Sequence, residues 1–181
     1  LVDPEKDKPH VKLIDFGIAM PEVGLVDENN TASQFIGSPA YIAPEQTLTP
    51  ELCQEYGWPI GNRIDIYSMG AVLYKCLTGV SPLGSPGKFS SVEEVLKILR
   101  RHLKTTPTPP HEAAPQNPIP QELSDFVMQT LSKSPLERPL HMRVCEEKLT
   151  RLLKSFEEQG SILEEPLTHK QNKHKFISLL D

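Results

Sequence analysis

The sequence lacks the features that mark secreted, membrane-spanning and nucleic-acid-binding chains. Its three cysteines, Cys53, Cys76 and Cys145, are far apart and odd in number. They form no CxxC pair and no disulfide framework, which points to a reducing, cytoplasmic setting. Cys76 lies inside an apolar run and reads as a small core residue. No apolar stretch reaches the roughly 18 residues of a membrane helix, and no signal peptide is visible. The formal net charge is -5, whereas phosphate-binding surfaces need concentrated Lys and Arg, so nucleic acid is excluded as a partner. One short basic run, His169 to Lys175, reads as a solvated tail. His169 and His174 have no Cys or carboxylate set beside them to complete a metal site. No internal repeat is visible.

What is present is ordinary globular material. The chain has 181 residues, 38% hydrophobic and 24% charged, which suits one domain with a real core. It begins at Leu1 and not Met, which is expected of a fragment or a processed product. Val11-Lys12-Leu13-Ile14 reads as a short strand, with Leu1-Val2 as the end of a hairpin partner. From Met20 to Gln34 the chain is polar and acidic and reads as a loop. Residues 64–78 are apolar almost all round, the pattern of a helix buried in a core, and Gly79 supplies its stop.

Residues 91–103 carry Val92, Val95, Leu96, Leu99 and Leu103 at helical spacing, with Ser90 or Ser91 as N-cap. Six prolines between Pro107 and Pro120 then require an extended loop. Two further helices are expected, about 121–132 and 141–158. The second has Val144, Leu149, Leu152, Leu153 and Phe156 as its core-facing stripe. The segment Thr47–Asn62 has no evident role, and its Trp58 reads as a packing residue. Gly84-Ser85-Pro86-Gly87-Lys88-Phe89 is no phosphate loop. Pro82 and Phe89 stand where such a loop needs Gly and Ser or Thr, so the stretch is a linker.

Five short motifs carry chemistry. Asp15-Phe16-Gly17 follows the strand, and Gly37-Ser38-Pro39-Ala40-Tyr41-Ile42-Ala43-Pro44-Glu45 follows the polar loop. Asp65-Ile66-Tyr67-Ser68-Met69-Gly70 opens the apolar helix, Gly79-Val80-Ser81-Pro82 follows it, and Arg138-Pro139 precedes the last helix. In order and spacing they resemble the large-lobe landmarks of eukaryotic-type serine/threonine protein kinases. Within that family the Gly37–Gln46 block looks most like the bacterial branch. The resemblance covers about residues 1 to 156.

The resemblance implies a fold class that is mainly α: the large helical lobe of the protein-kinase fold, with a small β-hairpin at the N-terminus. It also implies a domain over 1–158, with an activation segment at 15–45 and large-lobe helices at 63–158, followed by a tail at 159–181. The implied activity is transfer of the ATP γ-phosphate to Ser or Thr of protein substrates, with ATP and Mg²⁺ as cofactors. Asp15 would hold the Mg²⁺ that offsets charge on the phosphate oxygens, Phe16 would pack beneath it, and Gly17 would turn the backbone away from the nucleotide. Ser38 would position the substrate hydroxyl. Asp65, which also suits a helix N-terminus electrostatically, would brace the catalytic loop. Glu45 and Arg138 would form a buried ion pair. Thr31 and Ser33 are candidate phosphosites, where a phosphate would order the loop through basic side chains.

The family's Gly-rich loop, strand Lys, its partner Glu and the His-Arg-Asp loop do not occur in the 181 residues. The general base and phosphate-binding Lys are therefore expected upstream, and the isolated chain is expected not to catalyse. The alternative is a degenerate kinase remnant that serves as a protein-binding module.

Overall fold

The computed structural model describes residues 39–84 and 92–158. The strand at 11–14, its hairpin partner, the loop from Met20 to Gln34, the caps at Ser90 and Ser91 and the tail at 159–181 lie outside the described residues. Six α-helices order the described part: α1 Pro50–Glu55, α2 Arg63–Thr78, α3 Val92–Lys104, α4 Pro110–Ala113, α5 Gln121–Thr130 and α6 Met142–Glu158. Short 3₁₀ turns at Pro39–Tyr41, Pro44–Thr47 and Pro135–Glu137 complete it. Among the described residues the fold is helical, with no strand.

Helix α2 is the axis of the packing. Its Tyr67, Ala71 and Tyr74 are buried with Ala43, Val127 and Leu131, while Ile66 is buried with Phe126, Cys145 and Leu152. The two clusters place Ala43 and helix α5 on one side of α2, and α5 with α6 on the other. Gly70 sets how closely α2 and α5 approach. A Cβ there would overlap Thr130 Oγ1 and stand 2.8 Å from Thr130 Cβ. At its C-terminus, Gly79 takes a left-handed φ of 81° and its N–H donates to the Lys75 carbonyl at 2.8 Å.

The structure departs from the sequence expectations at four places. Helix α2 is not buried all round: Asp65, Val72 and Cys76 are exposed along one side, so Cys76 is not a core residue. Apolar composition reported the helix's two packed faces and hid its open one. The proline-rich stretch is not wholly extended, because α4 forms within it. Pro110 occupies the first helical position, where a missing N–H costs nothing, so that proline starts a turn which Pro115 then cannot continue. In α6, Leu153 is 54% exposed, and Cys145, fully buried, takes a place in the stripe that the sequence reading gave to larger side chains. The 121–132 helix ends at Thr130.

The connecting loops are tied down through their carbonyls. Tyr74 Oη donates to Thr108 O at 2.9 Å and Asn117 Nδ2 to Leu77 O at 2.7 Å, anchoring the proline-rich loop on α2. In the Thr47–Asn62 segment, Thr49 caps α1 by accepting from the Leu52 N–H at 3.3 Å. Half-buried Trp58 packs on exposed Tyr56, their ring centroids 5.4 Å apart.

Candidate functional site

The residues from Pro39 to Thr47 run as two 3₁₀ turns across the N-terminal half of α2, and short bonds fix them. Ser68 Oγ, on α2, donates to Tyr41 O at 2.8 Å. The Ala43 N–H donates to Gln46 Oε1 at 3.0 Å, while the Gln46 N–H returns to Ala43 O at 3.0 Å. Thr47 Oγ1 donates to Pro44 O at 2.7 Å, and the Cys53 thiol, on α1, donates to Glu45 O at 3.4 Å. Burial pushes the Cys53 thiol above its ordinary value, with the Glu45 charge adding to the effect.

Glu45 is joined to Arg138, 93 residues later. Nη1 donates to Oε1 at 2.7 Å and Nη2 to Oε2 at 2.8 Å, and neither side chain is exposed at all. The other three guanidinium protons also find oxygen. Nε donates to Ser132 O at 2.8 Å, Nη1 to Arg63 O at 3.0 Å and Nη2 to Lys133 O at 3.0 Å. All five donors of the planar fork are thus satisfied, by Glu45 of the Pro44–Thr47 turn, the first turn of α2 and the loop after α5. The guanidinium carbon also lies 4.8 Å from the Tyr67 ring centroid, over its face. Such a pair survives burial because both partners are bonded at every site. An isolated charge in the same place would carry a penalty of several kcal/mol.

Tyr67 extends the network. Its hydroxyl lies 2.8 Å from His102 Nδ1, and the two rings are tilted by 60° with centroids 5.6 Å apart. Both residues are fully buried. Burial holds the Tyr67 hydroxyl well above its ordinary pKa, so it remains a donor. Burial, followed by the nearby Lys133 ammonium, lowers His102 to about 4, while hydrogen bonding with the Pro39 backbone works the other way. His102 Nε2 is buried with no partner at hydrogen-bond length. The neutral ring then accepts from Tyr67 through Nδ1. Lys133 Nζ is likewise buried and unpartnered; burial, then Arg138, lowers it to about 8.

Of the residues singled out in the sequence, the structure brings Glu45 and Arg138 together and leaves Asp65 exposed in the first turn of α2. Asp15, Phe16, Gly17, Thr31, Ser33 and Ser38 lie outside the described residues. Tyr67, His102 and Lys133 were missed. The one available signal was His102 falling in register with Val95 and Ile98 on the apolar face of α3. A second polar constellation, His111 Nδ1 at 2.8 Å from Ser124 Oγ with Glu112 3.6 Å from His111 Nε2, only superficially resembles a nucleophile triad. Ser124 is fully buried, and its oxygen also accepts the His111 N–H at 3.4 Å, so the hydroxyl braces α4 against α5.

Comparison with known proteins matches the protein kinase domain family to residues 1–150, and the chain belongs to that family. It is 30% identical over 146 residues to serine/threonine-protein kinase pkn3 of Myxococcus xanthus, covering 77% of this chain and 23% of that protein. It is 37% identical over 130 residues to serine/threonine-protein kinase A of a Synechocystis species, covering 71% and 21% respectively. To serine/threonine-protein kinase PknB of Mycobacterium tuberculosis it is 31% identical over 131 residues, covering 71% and 18%. The chain thus spans between 18% and 23% of the length of these relatives. Among the described residues no helix is long and apolar enough to cross a membrane.

Proposed function

We propose that the chain is the large-lobe part of a serine/threonine protein kinase, working on proteins in the cytoplasm. The observation that carries this reading is the fully bonded Glu45–Arg138 pair, which locks the end of the activation segment to the helical core. A segment fixed that firmly at Pro44–Thr47 offers an incoming substrate chain a defined surface beside the core. Positioning of the reacting groups, together with electrostatic stabilisation, is most of what a protein contributes to phosphoryl transfer. The relatives' printed names, all serine/threonine-protein kinases, support the same class of substrate. The three cysteines are free, two of them buried, as suits a reducing cytoplasm.

In this reading Asp15 is the Mg²⁺ ligand, with Phe16 and Gly17 shaping the approach to ATP, and Ser38 positions the substrate hydroxyl. Asp65 braces the catalytic loop from the first turn of α2. The carboxylate proposed for Mg²⁺ is Asp15. Bound there, the ion would offset charge on the phosphate oxygens. The general base and the phosphate-binding Lys are not among these 181 residues.

The test is phosphotransfer from ATP to Ser and Thr of a generic basic protein, measured for the full reading frame and for the 181 residues alone. The full frame should transfer phosphate and the 181 residues should not. Asp15→Asn in the full frame should leave folding intact and lower the rate by roughly several powers of ten, because a neutral amide is a poor Mg²⁺ ligand. Near-normal turnover by that variant would remove Asp15 from the role.

A further inference from the structure

One buried titratable group belongs to none of the roles above. His102 lies on the inner face of α3, with a relative exposure of 0%, in the midst of an otherwise apolar stripe. A histidine in such a place normally sits in a fully satisfied network, because an unbonded polar atom in the interior costs about 1–3 kcal/mol. His102 is satisfied on one side only, at Nδ1 by Tyr67.

The bonds that start at His102 form an unbroken series of contacts. His102 of α3 meets the Tyr67 hydroxyl of α2 at 2.8 Å. The Tyr67 ring lies under the Arg138 guanidinium at 4.8 Å. Arg138 grips both oxygens of Glu45. The Pro39–Tyr41 turn, which begins next in sequence to Ser38, packs against α3 as well. Helix α3 packs directly against both turns of the Pro39–Thr47 segment, and His102 adds a directional link from it to Glu45 through Tyr67 and Arg138. An apolar residue in its place would fill the space and carry no directional constraint.

We propose that His102 is a positioning residue for the activation segment, coupling the placement of α3 to the presentation of Pro39–Thr47 to protein substrate. The proposal rests on the kinase reading for its consequence, and on geometry alone for the coupling. It makes α3 the element through which a load on its outer face would reach the substrate-facing segment, without altering the nucleotide side. His102 acts through Tyr67 and touches no reacting atom.

Two measurements test it separately. The first is amide hydrogen exchange on the 181-residue chain, comparing the wild type with His102→Leu, which keeps the bulk and removes the acceptor. Exchange at the Ala43 and Gln46 amides should speed up by about tenfold while α6 amides are unchanged, a local opening and not global loss. His102→Asn, whose side-chain oxygen can stand near the place of Nδ1, should restore much of the protection. Unchanged exchange at those amides, or an equal increase in α6, overturns the coupling.

The second is steady-state kinetics in the full reading frame. His102→Leu and Tyr67→Phe should each raise KM for the protein substrate by about fivefold, with KM for ATP and kcat within about twofold. A fall in kcat with both KM values unchanged overturns the positioning role. If the wild type transfers no phosphate, the kinase reading fails, and the exchange experiment still decides whether α3 and the segment are coupled.

Discussion

Arg138 and Glu45 bridge 93 residues of sequence with two parallel hydrogen bonds of 2.7 and 2.8 Å, and neither side chain sees solvent. The three remaining guanidinium protons go to the carbonyls of Ser132, Arg63 and Lys133, so the pair gathers the Pro44–Thr47 turn, α2 and the loop after α5 at one point.

Removing either partner leaves the other charge buried and unmatched. Glu45→Ala and Arg138→Ala should each destabilise the folded chain by about 3–5 kcal/mol. The double variant should cost far less than the sum, since no orphan charge remains. Urea unfolding of all four proteins measures this. Additive losses, or single losses under about 1 kcal/mol as at exposed pairs, would contradict the burial described here.

Gly70 allows no side chain where α2 meets α5. Gly70→Ala gains helix propensity worth about 1 kcal/mol, but its Cβ must displace Thr130, and overpacking of this kind costs about 1–3 kcal/mol. The thermal midpoint should fall. Thr130→Ala in the same chain should return part of the loss, because it removes the oxygen that the new methyl would strike. A Gly70→Ala chain with an unchanged melting curve would mean that the two helices can part freely.

Acid should weaken the protein through His102. Its folded pKa, about 4, lies below its ordinary 6.5, because burial and then Lys133 disfavour the imidazolium. The unfolded chain therefore takes up this proton first as pH falls. The contribution is whole above pH 6.5 and is lost progressively toward pH 4, to a total of about 3 kcal/mol. The charged and titratable groups around the ring are Tyr67 of α2 and Lys133 of the loop after α5, with Arg138 and Glu45 beyond Tyr67. Lys133, lowered to about 8, acts in a different window, where stability rises between pH 8 and 10.5 as the native state gives up its proton first. Unfolding at pH 7 and 4.5 should show a smaller drop for His102→Asn than for the wild type. Equal drops would assign the acid limb to other groups.

Phosphorylation is expected in the polar loop. We propose Thr31 and Ser33 as acceptors, where an added phosphate would pair with basic side chains and order the segment. Mass spectrometry of the active full-length protein should find phosphate between Met20 and Ser38. A phosphate-free loop in a fully active preparation would refute it.

Helices α3 and α6 were legible because their apolar residues recur at helical spacing. Helix α2 was legible because it is apolar in composition and Gly79 ended it where a left-handed residue was needed, whereas α1, within Thr47–Asn62, was not foreseen. Glu45 and Arg138 could be paired through motif resemblance and through nothing local, since no spacing rule spans 93 residues. What escaped depended on neighbours far away in sequence. Cys76 sits in an apolar run and Cys145 beside Arg143, Glu146 and Glu147, yet the first is exposed and the second fully buried, because only the second faces a packed helix. His102 and Lys133 read as ordinary polar residues of a helix and a loop until the fold closes over them. Helix α4 hid behind prolines whose effect depends on whether they begin a turn or interrupt one.

The unequal exposure of the cysteines gives the chain a built-in labelling site. Cys53 and Cys145 are buried, and burial pushes both thiols up, away from the reactive thiolate. Cys76 stands in solvent in the last turn of α2. A maleimide dye added to the unmodified protein should attach there first, placing a fluorescent reporter on the helix around which everything else is packed, with no residue changed to put it there.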